Sequence, residues 1–251
     1  MTDIQWKNFC DFKDDFRNKV EEWKAAAPEL IRLQKEAARL ANTPDYPFET
    51  PVVYNRALDD LTAEDEIKVI VIGDNPGKDE QLAKNNRYLV GQAGKIAEGY
   101  FRRNPELGID FRRNVIILNK TPLHSAKTAQ LKTIAKQGGR KIADLIEESQ
   151  IWMAKKTAEL HAALGTELWL VGYSELKEKG LFSAYRENLK QACPQKAWEK
   201  VYVFQHFSMN RFTIDLGEYI NSKTPEAEKK ASLESNIHEL GLLHRKEIFG
   251  A

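Results

Sequence analysis

Cysteine is scarce in this chain. Cys10 and Cys193 are the only two among 251 residues. They have no metal-ligand spacing and are too few for a disulfide framework, so neither a zinc scaffold nor a disulfide-stapled domain is expected. Long apolar runs are missing too, and no stretch approaches the ~18 residues that a membrane span needs. Met1-Thr2-Asp3-Ile4-Gln5-Trp6 has no basic segment leading into an apolar one, so no signal peptide is read there. A reduced, cytoplasmic chain is the simplest expectation. Charge of one sign is absent: 38 basic residues face 37 acidic ones, for a net charge of +1. Such a balance exerts no general pull on nucleic acid or membrane, and any nucleic-acid face has to come from local clustering. The Gly-x-Gly-x-x-Gly fingerprint of dinucleotide folds and the Gly-Lys-Ser/Thr phosphate loop are both missing.

What is present is enough for a core. The apolar fraction is 42%, ordinary for a globular chain, and the length suits one large core with decorations or two small domains. Residues 3–41 read as helix. Trp6, Phe9, Phe12, Phe16, Val20 and Trp23 recur at three- and four-residue steps and make one apolar face, which reads as core. Pro28 starts a second helix. Asn42 to Pro51 carries Pro44, Pro47 and Pro51 and reads as an irregular linker. This divides the chain into a helical extension over 1–60 and an α/β domain over 61–251.

The α/β pattern rests on four short apolar runs: residues 67–72, 114–119, 167–171 and 201–204. Their near-continuous apolar character predicts strands buried on both faces. Helical segments at 94–103 and 140–164 lie between them, the second stopped by Gly165, and the stretch from Asp215 to Ala251 reads as helix outside the sheet. Alternating strands and helices predict a parallel sheet covered on both faces, a three-layer α/β/α architecture. Ligands then bind beyond the carboxyl ends of the strands. Unusual residues collect there: Gly73-Asp74-Asn75-Pro76-Gly77 after the first strand, Asn119 closing the second, and His206 and Ser208 after the fourth. Gly73 and Gly77 let backbone approach a ligand, and Pro76 stiffens the turn.

These residues together resemble the uracil-DNA glycosylase superfamily. Gly73-Asp74-Asn75-Pro76-Gly77-Lys78-Asp79-Glu80 is similar to its first motif, with the Asn-Pro-Gly core of the mismatch-specific and single-strand-selective branches. Tyr88-Leu89-Val90-Gly91-Gln92-Ala93-Gly94 resembles the Pro-Phe-Val-Gly-x-Ala-Gly segment of the bacterial and archaeal iron–sulfur branch. Ile117-Leu118-Asn119 is similar to the strand whose final asparagine reads the base, and His206-Phe207-Ser208 to the His-Pro-Ser motif. The likeness spans residues 67–212. It implies a four-stranded parallel sheet of order 2-1-3-4 and a monofunctional uracil-DNA glycosylase of base-excision repair, acting as a monomer on single- or double-stranded DNA. The iron–sulfur branch needs four cysteines, so no cluster and no other cofactor is expected. The base-stacking phenylalanine falls at Leu89, with Tyr88 one place earlier. The tyrosine that blocks the thymine methyl falls at Gly77.

The resemblance assigns roles that chemistry supports. A flipped base needs stacking and hydrogen bonds on its Watson–Crick edge. Tyr88 is the stacking candidate. The Asn119 amide matches O4 and N3–H of uracil, since it offers one donor and one acceptor. His206 donates to O2 as charge builds there, and Asn75 holds the attacking water. Asp74 orients that water or lines the pocket with its backbone. Met209 or Arg211 wedges into the gap left by the base. Lys120, Ser125 and Lys127, with Thr121, His124, Thr128, Lys132, Lys136, Arg140 and Lys141 around them, are candidate DNA contacts. Two alternatives remain open: a glycosylase of the same fold for hypoxanthine or mismatched thymine, and a non-catalytic nucleic-acid- or nucleotide-binding member.

Overall fold

The computed structural model describes residues 1–223 and 231–250. Its helices are α1 (Asp3–Ala26), α2 (Leu30–Leu40), α3 (Gln92–Arg103), α4 (Gln130–Leu164), α5 (Ser183–Ala192), α6 (Gln195–Trp198), α7 (Arg211–Asn221) and α8 (Leu233–Phe249). The strands are β1 (Val69–Gly73), β2 (Val115–Asn119), β3 (Glu167–Val171) and β4 (Val201–Phe204). They form one parallel sheet of order β2-β1-β3-β4 between helical layers, the three-layer α/β/α fold. Every residue of β1 and β2 is buried, as two covered faces require. Among the described residues no helix is long and apolar enough to cross a membrane.

Local chemistry sets the boundaries. Thr2 caps α1 in a reciprocal box with Gln5, and Gln5 Nε2 also donates to Leu164 O (2.7 Å) at the end of α4. The helical stretch expected over 3–41 is two helices, as Pro28 implied, parted at residues 27–29. Helix α4 begins ten residues before the expected 140, and Gly139 breaks it with φ 67° and ψ −164°. The apolar periodicity read from residue 140 onward belongs to the segment after that break. Short helices α5 and α6 carry too few apolar residues for their period to show. The expected C-terminal helix is two helices, α7 and α8; residues 224–230 and 251 lie outside the described residues.

The helical extension is part of the same core. Trp23 meets Trp152 of α4 edge-to-face at 5.6 Å, and Phe16 stacks on Trp152 at 5.9 Å. On the sheet, Trp169 of β3 contacts Phe101 of α3 and Phe212 of α7. Helix α8 covers the outer strand β4 at very close range. A Cβ on Gly241 would lie 2.7 Å from both Tyr202 Cβ and Phe204 Cζ.

That contact gives a test with a defined sign. Alanine is favoured over glycine by about 1 kcal/mol in a helix, so a loosely packed α8 would gain from Gly241→Ala. Overpacking against β4 reverses the sign, and we expect a net loss of about 1–3 kcal/mol in denaturant unfolding. A stabilised variant would show that α8 stands off from the sheet.

Candidate active site

All four strands point the same way, so their following loops share one rim. Gly73 of β1 lies in register with Asn119 of β2. Asp74 and Lys120 therefore leave the sheet side by side. Lys120 is fully buried. Its Nζ donates to Asp74 Oδ1 (2.6 Å), to Val171 O at the end of β3 (2.5 Å) and to Gly73 O (3.4 Å). Those three partners engage the three protons of an ammonium. Phe182 covers the same nitrogen, its ring centroid 5.1 Å away. Burial pushes the Lys120 pKa down, and Asp74 opposes that shift. Thr128 Oγ1 donates to the other carboxylate oxygen of Asp74 (3.4 Å).

Above this pair lies a cleft of about 600 Å³, lined by Asp74, Asn75, Gly77, Asn119, Lys127, His206 and Ser208 among others. The expected constellation from β1, β2 and β4 thus faces one space. The Asn75 amide nitrogen donates to Ser125 Oγ (3.0 Å), Ser125 O (3.2 Å) and Pro76 O (3.2 Å). That fixes the amide's orientation and leaves Oδ1 as its free acceptor. Asn119 is 2% exposed, and its Nδ2 has no partner among the described residues. A buried donor in that state costs roughly 1–3 kcal/mol, which a ligand acceptor would recover. Gly73 makes room for this side chain: a Cβ there would lie 2.5 Å from Asn119 Oδ1.

His206 is oriented by its own loop. Ser208 N donates to His206 Nδ1 (3.1 Å), and Ser208 Oγ lies 2.8 Å from the same atom. A backbone N–H can only donate, so Nδ1 is the acceptor and Nε2 carries the proton. Burial pushes the His206 pKa down; Asp74 opposes the shift and Lys120 reinforces it. The ring is a neutral hydrogen-bond donor. The following residues Met209 (φ 55°) and Asn210 (φ 58°) are both left-handed, a strained arrangement for non-glycine residues. Met209 is 77% exposed there, and Arg211 beside it is exposed as well.

Several expected roles are not compatible with this arrangement. Tyr88 is buried away from the cleft, its hydroxyl donating to Val53 O (2.6 Å). The neighbouring Leu89 lines the cleft instead, at φ 50° with its carbonyl held by Arg112. Lys120 is an internal counter-ion and has no surface for phosphate. Ser125, Thr121 and His124 are buried too: Ser125 holds Asn75, Thr121 Oγ1 pairs with Ser149 Oγ (2.7 Å), and His124 holds Pro76. Pro76 is buried behind the loop, presenting its carbonyl to His124 Nδ1 (2.9 Å). Lys127 remains exposed at the rim.

Among the cleft residues given no role from the sequence, Glu80 is the buried acid. It is 7% exposed, and its Oε2 accepts from Gly77 N (3.0 Å). Burial pushes its pKa up to about 7, against the backbone donors of Gly77 and Leu89. The signal was the three-residue step from Gly77, the spacing at which a Glu reaches back to a backbone N–H. A larger groove of about 820 Å³ runs along the outer edge of β2; two of its arginines are paired, Arg87 with Asp60 (2.5 Å) and Arg112 with Glu98 (3.0 Å), while Lys95 and Arg113 have no ion-pair partner among the described residues. The side chains that converge from the strand ends line the smaller cleft. No family model matches this chain, and no curated protein matches it.

Two tests follow from the buried charges. Breaking a buried ion pair by removing one partner costs ~3–5 kcal/mol. Lys120→Met and Asp74→Asn should each lose that much in denaturant unfolding, and the double variant clearly less than the sum. Additive losses would show that the two charges do not depend on each other. For Glu80 the sign runs with proton uptake. Its folded pKa lies above the unfolded value, so its stabilising contribution is complete below pH ~4.5 and is lost as pH rises through about 7. Glu80→Gln should therefore flatten the fall in melting temperature between pH 5 and 8. An unchanged slope in the variant would place the titration elsewhere.

Proposed function

We propose that this protein is a monofunctional DNA glycosylase that hydrolyses the N-glycosidic bond of uracil in DNA. The observation that carries the reading is the unpartnered amide of Asn119, facing the same cleft as His206 and Asn75. A uracil there offers O4 to Asn119 Nδ2 and N3–H to Oδ1. Asn75 Oδ1 accepts a hydrogen bond from water and aims its lone pair at C1′. As the C1′–N1 bond breaks, the base departs as an anion with charge on O2, and the Nε2–H of His206 meets that charge. The bond from water oxygen to C1′ forms as the sugar passes through oxocarbenium character, and the water's proton ends on the base. The Asp74 carboxylate, positioned by Lys120 Nζ at 2.6 Å, lies beside the developing cation.

A second reading is favoured by Gly77, around which a Cβ would meet nothing within 4 Å. That open space suits a glycosylase of the same fold acting on a bulkier base, hypoxanthine or mismatched thymine. One assay separates the two. Single-stranded and duplex oligonucleotides carrying uracil, hypoxanthine or a G·T mismatch are incubated with the protein, and abasic sites are cleaved with alkali. Uracil release should fall about 10²–10³-fold in His206→Ala, as for loss of an oxyanion donor, and by a comparable factor in Asn75→Ala. Release of hypoxanthine or thymine in preference to uracil moves the assignment to the second reading. Release from none of the substrates sinks both.

A further inference from the structure

Residues 42–51 have no regular secondary structure, yet buried polar groups fasten them to the cleft wall. Gln81 Oε1 accepts from Glu49 N (2.7 Å), and Gln81 Nε2 donates to Pro47 O (2.6 Å). His124 Nδ1 donates to Pro76 O, which leaves Nε2 to accept from the Tyr46 hydroxyl (3.0 Å). Burial keeps that imidazole neutral, with a pKa near 4. One ring thus sets the position of Tyr46 relative to the loop that carries Asn75.

The anchored segment presents aromatic and cationic groups together. The rings of Tyr46 and Phe48 lie 4.2 Å apart and are half-buried. Lys78 Nζ lies 5.8 Å from the Tyr46 ring and Lys35 Nζ 5.9 Å from the Phe48 ring. Both lysines are exposed, and Lys78 also lines the cleft. Glu49, the acid closest in sequence to Phe48, is turned toward Ala83 N (2.5 Å). Half-buried rings beside ammonium groups that have no ion-pair partner among the described residues, continuous with a cleft, are the elements of a single-strand site: bases stack on any π-face and phosphates follow the cations.

We propose that Tyr46, Phe48, Lys35 and Lys78 form a platform for single-stranded DNA flanking the nucleotide held in the cleft. The proposal rests on the cleft accepting a base in DNA. The strand leaves the cleft past Lys78, one of its bases stacks on the aromatic pair, and its phosphates pass Lys78 and Lys35. The helical extension would then give the protein a preference for single-stranded over duplex substrate.

The test uses the full chain and a dye-labelled oligothymidine of about 12 nucleotides that contains no uracil. Fluorescence anisotropy should show binding that weakens about tenfold in Phe48→Ala and is kept in Phe48→Trp. In the surface double variant Lys35→Ala/Lys78→Ala, the slope of log affinity against log salt should fall by about 1.4, the value for two single-strand phosphate contacts. The double variant carries the test if Phe48→Ala unfolds. No binding by the wild type, or wild-type affinity and salt slope in the variants, overturns the platform. Uracil release is measured separately on a duplex. Binding through Phe48 and the lysines without uracil release keeps the platform and removes the glycosylase reading. Uracil release with binding indifferent to these residues does the reverse.

Discussion

Lys120 joins the ends of three strands by burying a positive charge where they stop. Its ammonium reaches Gly73 on β1, Val171 on β3 and the Asp74 carboxylate, while its own backbone continues β2. An ion taken out of water is tolerable only when every proton finds a partner, and here the partners belong to separate segments of chain. The pair therefore fixes where the first loop leaves the sheet, and with it the position of Asn75. Burial is what lowers the His206 pKa, and the pair acts on that ring with opposed signs, Asp74 raising the pKa and Lys120 lowering it. A neutral imidazole with its proton on Nε2 is what the proposed leaving anion would need, because donation then requires no prior protonation.

The helical extension completes the rim from the other side. Its aromatic stripe supplies core area against α4, and its irregular end reaches the loop that carries Asn75 through Tyr46 and His124. Gln34, buried on α2, adds hydrogen bonds to Pro51 O (2.9 Å) and His124 O (3.0 Å). Three prolines in ten residues would read as a loose connection. Proline removes backbone donors, however, and the remaining carbonyls are met by buried glutamine side chains, so the segment is ordered without a ladder of its own.

The fold was largely legible because its strongest determinants are local. A strand buried on both faces must be apolar along its whole length, and β4 was bounded to the residue by that rule, while β3 follows it from Leu168 onward, after the half-buried Glu167. The convergence of Asn75, Asn119 and His206 was legible because a parallel sheet brings all carboxyl ends to one edge. What stayed hidden depended on side-chain direction. Nothing in Leu118-Asn119-Lys120-Thr121 says that the lysine turns inward, since a lysine in a polar loop ordinarily faces water. The choice between Tyr88 and Leu89 is decided by one left-handed residue, Leu89, which turns the loop so that adjacent side chains part. Glu80 was in view, but a carboxylate becomes a near-neutral titrating group only through burial, and burial is a property of the whole fold.

Under the proposed function, the cleft's composition bears on which bases it would tell apart. Leu89 lines it where a stacking aromatic was expected, and no Phe, Tyr or Trp is among its lining residues. A base held there gains less from stacking and depends more on its polar edge. Polar mismatch is penalised heavily, because a buried amide left unpaired loses its partner and gains nothing, and sites of that kind discriminate by about 10⁴–10⁵. Discrimination against one extra methyl group is weaker, about 10–200-fold even in a fitted pocket. Gly77 leaves space rather than a fitted wall. On the proposed function Asn119 would separate uracil from cytosine sharply, while uracil and thymine would be separated only as far as the loop around Gly77 and Glu80 closes on the base.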